Sequence, residues 1–174
     1  MAFAFVVEDG TGHLDANSYV SVEDANDALY ADIDNFPKWD ALTDENKQRY
    51  LVWATRYLDE RLRWRGERKI DALGRPISAL RFPRWGLHDR DGVRLCSTSI
   101  PPQLQRAVAY MAVNRLINKP LPIGISTAGL KRFRLDPMEV ELSDTYQEKA
   151  IPDDIRAMLG GLVSGHSFGK ILRS

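Results

Sequence analysis

The stretch Thr43-Asp-Glu-Asn-Lys-Gln-Arg-Tyr-Leu-Val-Trp-Ala-Thr-Arg-Tyr-Leu-Asp-Glu-Arg-Leu-Arg63 carries the strongest helical pattern in this chain. Its apolar residues recur at steps of three and four, which places them along one side of a helix. Either Thr43 or Asp44 can cap its start, because a side-chain oxygen there accepts a free backbone N–H. The stretch therefore predicts an amphipathic helix that ends near Arg63. Its apolar stripe consists of Tyr50, Leu51, Ala54, Tyr57, Leu58 and Leu62, and Trp53 widens it.

A second long helix is predicted to begin after Ile100, where two prolines occupy positions that the first helical turn tolerates. It ends near Asn118, since Pro120 and Pro122 restrict the residues before them. We expect the two long helices to pack against each other through their apolar stripes. The stripe of the second helix consists of Leu104, Ala107, Val108, Met111, Ala112 and Leu116.

Two shorter helices are predicted on either side of this pair. The first begins after the N-cap residue Ser21 and ends at about Asp32. Residues 35–39 interrupt the helical pattern, because they contain a proline. The other short helix opens at Pro152 and ends at Leu159. With the two long helices, these elements predict a mainly α fold, a small helical bundle.

Two regions are predicted to be non-helical. Residues 64–100 contain glycine or proline at short intervals, so that no long element fits and a long ordered loop is expected. Further on, Met138-Glu-Val-Glu-Leu142 alternates apolar and acidic residues, and Asp136-Pro137 precedes it as a turn. This pattern predicts a β-hairpin over residues 130–142.

Composition indicates a soluble globular protein. The chain has 174 residues and 44% apolar content, enough for one domain with a core. No apolar run approaches the roughly 18–20 residues that span a bilayer, and no membrane association is expected. Cys96 is the single cysteine, which excludes an internal disulfide framework and a cysteine zinc site. We therefore predict synthesis in a reducing cytoplasm.

The net charge is zero, but the charges are unevenly distributed along the chain. Residues 1–55 contain 3 basic and 11 acidic residues, whereas residues 56–94 contain 11 basic and 6 acidic ones. This polarity suits head-to-tail contact between copies, in which an acidic face meets a basic one. The alternative is that helix surfaces are simply charged.

The sequence does not predict an enzyme. Gly165-His-Ser-Phe-Gly169 fits the nucleophile-elbow pattern, but that site needs a later acid and a later histidine, and the five residues after Gly169 contain neither. His13, His88 and His166 are too far apart for a metal-ligand motif. No P-loop or dinucleotide fingerprint is present. We expect no cofactor, no metal and no catalytic residues.

One basic cluster is a candidate binding site. Arginines with an interleaved tryptophan suit phosphates and stacked bases. Arginine also pairs with acidic residues of a neighbouring subunit, and Trp64 and Trp85 are equally compatible with a core position. Subunit contact and DNA contact therefore both remain open for this cluster. The candidate residues are Arg61, Arg63, Trp64, Arg65, Arg68, Lys69, Arg81 and Arg84.

The last fifteen residues combine four glycines with five large apolar side chains. Glycine disfavours a stable lone helix, whereas the apolar residues are unfavourable in water. An arm that orders on a partner resolves this conflict. We therefore predict a body over residues 1–159 and a C-terminal arm over residues 160–174. The predicted docking residues are Leu162, Val163, Phe168, Ile171 and Leu172.

Several phrases of the sequence, in this order, resemble one protein family. Together they are similar to tailed-phage proteins that are labelled DnaT-like single-stranded DNA-binding proteins. The resemblance covers about residues 5–120, with a weaker match from Lys131 to Glu141. The phrases are Val7-Glu-Asp-Gly-Thr-Gly with Asn17-Ser-Tyr-Val-Ser, Ala54-Thr-Arg-Tyr-Leu-Asp-Glu-Arg, Phe82-Pro-Arg-Trp-Gly with Asp89-Arg-Asp-Gly, and Ile100-Pro-Pro-Gln-Leu-Gln-Arg-Ala-Val-Ala.

The resemblance implies a virion structural protein, because members look like head-to-tail connector adaptors. Such adaptors form a homo-oligomeric ring of twelve copies under the portal. The implied partners are the portal protein, a downstream tail or neck protein, and genomic DNA that passes through the lumen. The implied location is the neck of the virion, after synthesis in the host cytoplasm, and the arm would dock on the portal. The alternative is a single-stranded DNA-binding replication protein, which needs a basic groove with exposed aromatic residues.

Overall fold

The computed structural model describes residues 4–118 and 151–164, together with the backbone of two strands between those ranges. In the described residues, the chain forms five helices and two separate two-stranded antiparallel sheets. This confirms the predicted fold class, a small helical bundle with a β-hairpin. The helices are α1 (Val22–Leu29), α2 (Phe36–Asp40), α3 (Asp44–Arg61), α4 (Pro102–Ile117) and α5 (Asp153–Met158). The strands are β1 (Glu67–Arg68), β2 (Arg84–Trp85), β3 (Arg132–Leu135) and β4 (Met138–Glu141).

Helices α3 and α4 form the centre of the core, as their apolar stripes predict. The Thr43 hydroxyl caps α3 by accepting the backbone N–H of Asn46 at 3.4 Å. Leu58 of α3 and Val108 of α4 are fully buried, whereas Leu116, predicted in the stripe, is only partly buried. The other fully buried stripe residues are Leu51, Ala54, Leu104, Ala107 and Ala112.

Two short helices cover this pair. Helix α1 packs on α3 and α4, and the Ser21 hydroxyl caps it by accepting the backbone N–H of Asp24 at 3.0 Å. Helix α5 packs on α4 through the buried Ile155. The α1 helix ends at Leu29, three residues before its predicted end.

Residues 35–39, predicted to interrupt the helical pattern, contain most of a further helix, α2. Pro37 lies in the first turn of α2, where its missing N–H has no intrahelical partner to lose. The side chain of Trp39 is fully buried, and its Nε1 donates to Asn26 Oδ1 at 2.8 Å. The proline therefore begins a helix here instead of breaking one.

The predicted division between body and arm at residue 159 is too early. Leu162 is fully buried in the core. The backbone N–H of Arg65 donates to the Leu162 carbonyl at 2.8 Å, and that of Ser164 donates to the Arg63 carbonyl at 2.9 Å. Val163 is partly buried against the core, so the body continues through Ser164. The remaining predicted docking residues, Phe168, Ile171 and Leu172, lie outside the described residues.

The predicted β-hairpin is present as strands β3 and β4, whose register pairs Leu135 with Met138 and Arg132 with Glu141. The rest of the predicted 130–142 range, including the turn, lies outside the described residues. Within the parts of the chain that the structure describes, no helix is long and apolar enough to cross a membrane.

Candidate functional site

The loop between α3 and α4 is anchored by one buried hydrogen-bond network. The Tyr19 hydroxyl donates to the Asp59 carboxylate, at 2.8 and 2.9 Å from its two oxygens. The same hydroxyl accepts the backbone N–H groups of Arg81 at 2.9 Å and Phe82 at 3.2 Å. Trp64 Nε1 donates to Asp59 at 3.1 Å. The network joins the N-terminal segment, the end of α3 and the loop around one carboxylate.

Burial dominates the electrostatics of this network. It raises the pKa of Asp59 to about 6, against the opposing effect of the hydrogen bonds from Tyr19, Arg81 and Trp64. Burial and the neighbouring carboxylate also raise the pKa of Tyr19 well above its usual value. Tyr19 therefore remains protonated and serves as the donor that holds Asp59 in place.

Arg68, predicted to contact DNA or a subunit, is used inside the protein. Its Nη2 donates to the carbonyls of Ser78 and Leu80, both at 2.7 Å, and to that of Ala79 at 3.3 Å. The guanidinium thereby satisfies backbone acceptors of a loop that has no sheet partner for them. Arg68 therefore has a structural role in holding this loop.

Arg84 is also used inside the protein. Its Nε donates to the Arg65 carbonyl and its Nη2 to the Gly66 carbonyl, both at 2.6 Å. Gly66 has φ +67°, and a Cβ there would lie 2.1 Å from the Trp85 carbonyl oxygen. Only glycine allows the two strands to approach this closely. The sheet of β1 and β2 is thus fixed in place by one arginine and one glycine.

Trp64 and Trp85, for which the sequence leaves core and surface positions open, occupy opposite environments. Trp64 packs edge-on against Phe82, at 5.0 Å between ring centroids, and donates to Asp59. Trp64 is therefore partly buried and has a structural role, in line with the core position that the sequence leaves open for it. Trp85 is 46% exposed on β2, and Lys69 Nζ lies 5.0 Å from its ring centroid. Of these two tryptophans, Trp85 is thus the exposed one.

The segment between α3 and β1 presents arginines to solvent. Arg63 and Arg65 are exposed, whereas the residues that precede them, Leu62 and Trp64, turn toward the core. This alternation follows from extended backbone, in which successive side chains point to opposite sides. Among the described residues, no carboxylate forms a salt bridge with Arg63 or Arg65. Arg63, Arg65, Lys69 and Trp85 together are called the basic ribbon face below.

Besides Trp64, Arg68 and Arg84, two further candidate residues lie outside this face. Arg61 stacks on Tyr57, with 3.9 Å between the guanidinium carbon and the ring centroid, and lies 3.9 Å from the Glu60 carboxylate. The exposed Arg81 lines a separate cleft beside α3. Glu67 lies opposite Trp85 in the sheet and adds one negative charge beside the basic ribbon face.

The arrangement can hold a polyanion with aromatic rings, because guanidinium groups bind phosphates and an exposed indole stacks on a base. In the described parts of the chain, no group of three or more histidine, cysteine, aspartate or glutamate side chains is placed to hold a metal ion.

One family model, described as "Putative DnaT-like ssDNA binding protein", matches residues 3–174. The chain belongs to this family. No curated protein and no solved structure matches it. The match confirms the resemblance to the DnaT-like family and extends it to the C-terminal residues, where the sequence shows no recognisable phrase. The family description names single-stranded DNA binding and does not name a connector.

Three of the phrases that indicate the DnaT-like family meet at the anchor of the loop. Tyr19, Asp59 and Phe82 come from three different phrases, and all three belong to the buried network. Glu8, from the first phrase, is buried and accepts the backbone N–H groups of Gly12 at 2.9 Å and His13 at 2.8 Å. Through these residues, the phrases help to specify how the loop folds, and the phrase that begins at Phe82 also contains the exposed Trp85.

Proposed function

We propose that this protein binds single-stranded DNA through the basic ribbon face. One observation carries the proposal: Trp85 is exposed on a two-stranded ribbon, with a lysine ammonium 5.0 Å from its ring centroid. The description of the family to which the chain belongs supports the same function.

The chemistry of the face divides into two parts. A base stacks on the exposed indole of Trp85, an interaction worth about 1–3 kcal/mol per base and tolerant of sequence. Arg63, Arg65 and Lys69 neutralise backbone phosphates, and release of counterions makes the affinity depend on salt. Arg84 holds the ribbon to the Arg65–Gly66 backbone. The indole of Trp85 and the segment that carries the arginines are therefore positioned before single-stranded DNA binds.

The test is fluorescence anisotropy of a labelled oligo-dT over a series of salt concentrations. Replacing both Arg63 and Arg65 with glutamine should weaken binding and lower the slope of log K against log salt by about 0.7 for each phosphate that is no longer neutralised. Arg49→Gln is the matched control, because Arg49 pairs with Glu45 at 2.6 Å near the other end of α3. Equal affinity and equal slope in all three proteins would exclude the basic ribbon face.

A head-to-tail ring is a second candidate function, favoured by the two ends of α3. The first turns of α3 contact α2, where Lys47 Nζ lies 3.7 Å from the Asp40 carboxylate. The neighbouring corner between α1 and α2 is acidic and exposes Ile33 at 86%. The other end of α3 leads to a basic loop that exposes Leu73 at 75%. With 18 residues, α3 is about 27 Å long.

We propose for this second candidate that the acidic corner of one copy docks on the basic loop of the next. Repeated contacts of this type close into rings when the rotation allows it. Such a ring fits a virion connector of twelve copies between the portal and a tail or neck protein, with genomic DNA in its lumen. The arm residues after Ser164 would then dock on the portal.

The mass of the purified protein, measured with and without its portal, tests this candidate. A ring mass that Ile33→Asp reduces to the monomer would support the connector function. A monomer under both conditions, combined with salt-dependent binding of oligo-dT, would exclude the connector function and favour the first candidate.

A further inference from the structure

A second binding site is suggested by a cleft of about 440 Å³ that opens between α3 and the loop before β2. Its walls include the side chains of Arg56 from α3 and Arg81 from the loop, and its apolar part includes Ala16 and Leu80. None of the four residues of the basic ribbon face lines it. The cleft is thus a separate site from the one proposed above for single-stranded DNA.

The two arginines at the walls are available to a ligand. Both Arg56 and Arg81 are exposed, and among the described residues no carboxylate forms a salt bridge with either guanidinium. The Arg81 backbone is fixed, because its N–H donates to Tyr19 and Asp59 at 2.9 and 3.2 Å. Two arginines therefore line one cleft from two separate segments of the chain.

A third arginine lines the same cleft. Arg68 lines it and is held by the carbonyls of Ser78 and Leu80. Its Nε is buried and, among the described residues, has no hydrogen-bond partner. Leaving a buried donor unpaired is costly, and such a group calls for a specific explanation. Because this nitrogen is buried, Arg68 contributes the positive charge of its guanidinium to the cleft rather than a hydrogen bond from Nε.

The acidic residues of the cleft do not cancel this positive charge. Asp59 already accepts hydrogen bonds from Tyr19, Trp64 and the Arg81 backbone. Glu60 lies 3.9 Å from the guanidinium of Arg61. Three arginines therefore face one carboxylate that is saturated and one that has a cation of its own. The cleft favours an anion.

We propose that this cleft binds a phosphate monoester of nucleotide size, with the phosphate between Arg56 and Arg81 and the remainder on the Ala16–Leu80 surface. Arginine suits this ligand, because its planar fork matches phosphate oxygens. The volume lies within the range of roughly 300–1,000 Å³ that small-molecule sites occupy, which is more than a bare phosphate needs. The ligand is either a free nucleotide or the terminal phosphate of a strand, and the proposal holds whether or not the basic ribbon face binds DNA.

Isothermal titration calorimetry of the full chain with thymidine monophosphate, thymidine and inorganic phosphate tests the site. The monophosphate should bind, thymidine should not, and inorganic phosphate should bind more weakly. Arg56→Gln and Arg81→Gln should each weaken monophosphate binding about tenfold or more, because each removes a charged hydrogen-bond donor. Arg49→Gln, on the same helix, should leave it unchanged. The exposed positions of Arg56 and Arg81 allow both variants to fold, which thermal melts verify.

Competition distinguishes the two sources of the ligand. A 5′-phosphorylated oligo-dT that displaces the monophosphate, where the 5′-hydroxyl form does not, indicates a strand end, and displacement by neither indicates a free nucleotide. Trp85→Leu separates this site from the basic ribbon face, since it should weaken oligo-dT binding and spare the monophosphate. Unchanged monophosphate affinity in both arginine variants, absence of any monophosphate binding, or equal affinity for inorganic phosphate would overturn the proposal.

Discussion

The helical core and the loop between α3 and α4 are stabilised in different ways. In the core, fully buried apolar side chains such as Leu58 and Val108 pack between helices. The backbone N–H and C=O groups of each helix are hydrogen-bonded within that helix. The loop has little regular structure, so side chains satisfy its backbone groups, as Arg68 does for three carbonyls and Tyr19 for two N–H groups. Polar and charged side chains therefore hold the loop in place, whereas apolar packing holds the helical core.

The arginines of the loop divide into two groups, those that hold its backbone and those that are exposed. Arg68 and Arg84 are committed to carbonyls, whereas Arg63 and Arg65 are exposed with their guanidinium groups outside any salt bridge in the described residues. Structural arginines should affect stability, and exposed ones should affect binding.

The largest expected effect tests where the core ends. Deleting residues 160–174 removes the buried Leu162 and its pairing with Arg65, which should cost at least about 3 kcal/mol of unfolding free energy. Deleting only residues 165–174 keeps every described contact of the body and should cost far less. Urea denaturation of both truncated proteins provides the comparison. Equal stability of the two would place Leu162 outside the cooperative core.

The next effect measures the core itself. Leu58→Ala removes a fully buried side chain between α3 and α4 and should cost about 2–5 kcal/mol in urea denaturation. Oligo-dT affinity at temperatures where the variant is folded should stay unchanged, because Leu58 lies away from the basic ribbon face. A loss below about 1 kcal/mol would mean that this stripe is not a well-packed core.

In the loop, Arg68 and Arg63 provide a matched pair of substitutions, one at a structural arginine and one at an exposed arginine. Arg68→Met leaves three carbonyls without their donor and should cost about 1–3 kcal/mol. Arg63→Met changes an exposed residue and should shift stability by no more than about 0.5 kcal/mol. Thermal and urea denaturation check both. If the two substitutions cost the same, the distinction between structural and exposed arginines fails.

A smaller effect concerns the pH dependence of the buried network. The pKa of Asp59 is about 6 in the folded protein against an ordinary value of 3.8, so the native state holds this proton more tightly than the unfolded chain. Protonation therefore adds stability as the pH falls through 6 toward 4, and that contribution is lost as the pH rises through 6. Asp59→Asn should remove this part of the slope of unfolding free energy against pH. Identical slopes in wild type and variant would contradict the raised pKa.

The sequence predicts what local periodicity determines, and it misses what distant contacts determine. The steps of three and four in α3 and α4 lead to the correct helix pair, because packing follows the apolar stripe directly. The structural role of Arg68 depends on carbonyls ten to twelve residues later, and no local pattern reveals such a bond. In the sequence, the two glycines before Leu162 favour an arm. In the structure, Leu162 lies shortly after α5 and belongs to the same buried core as Ile155 of that helix.

The sequence contains a signal for the burial of Trp64 but none for the exposure of Trp85. In residues 61–65, arginine alternates with Leu62 and Trp64, and period-two alternation in extended backbone places Trp64 with Leu62 on the buried side. Trp85 has no such neighbours, since it stands between an arginine and a glycine. Its exposure follows from the pairing of β1 with β2, which is a tertiary property.

Quenching of tryptophan fluorescence by oligo-dT tests the basic ribbon face most directly. Stacking of a base on Trp85 should quench wild-type emission in a saturable and salt-sensitive way, and Trp85→Leu should abolish that quenching and weaken binding by about 1–3 kcal/mol. Trp53→Phe is the control, because Trp53 lies on α3 and is not part of the basic ribbon face. The guanidinium carbon of Arg115 lies 4.9 Å from the centroid of its ring. Wild-type quenching and affinity that persist in Trp85→Leu would contradict DNA binding at this face.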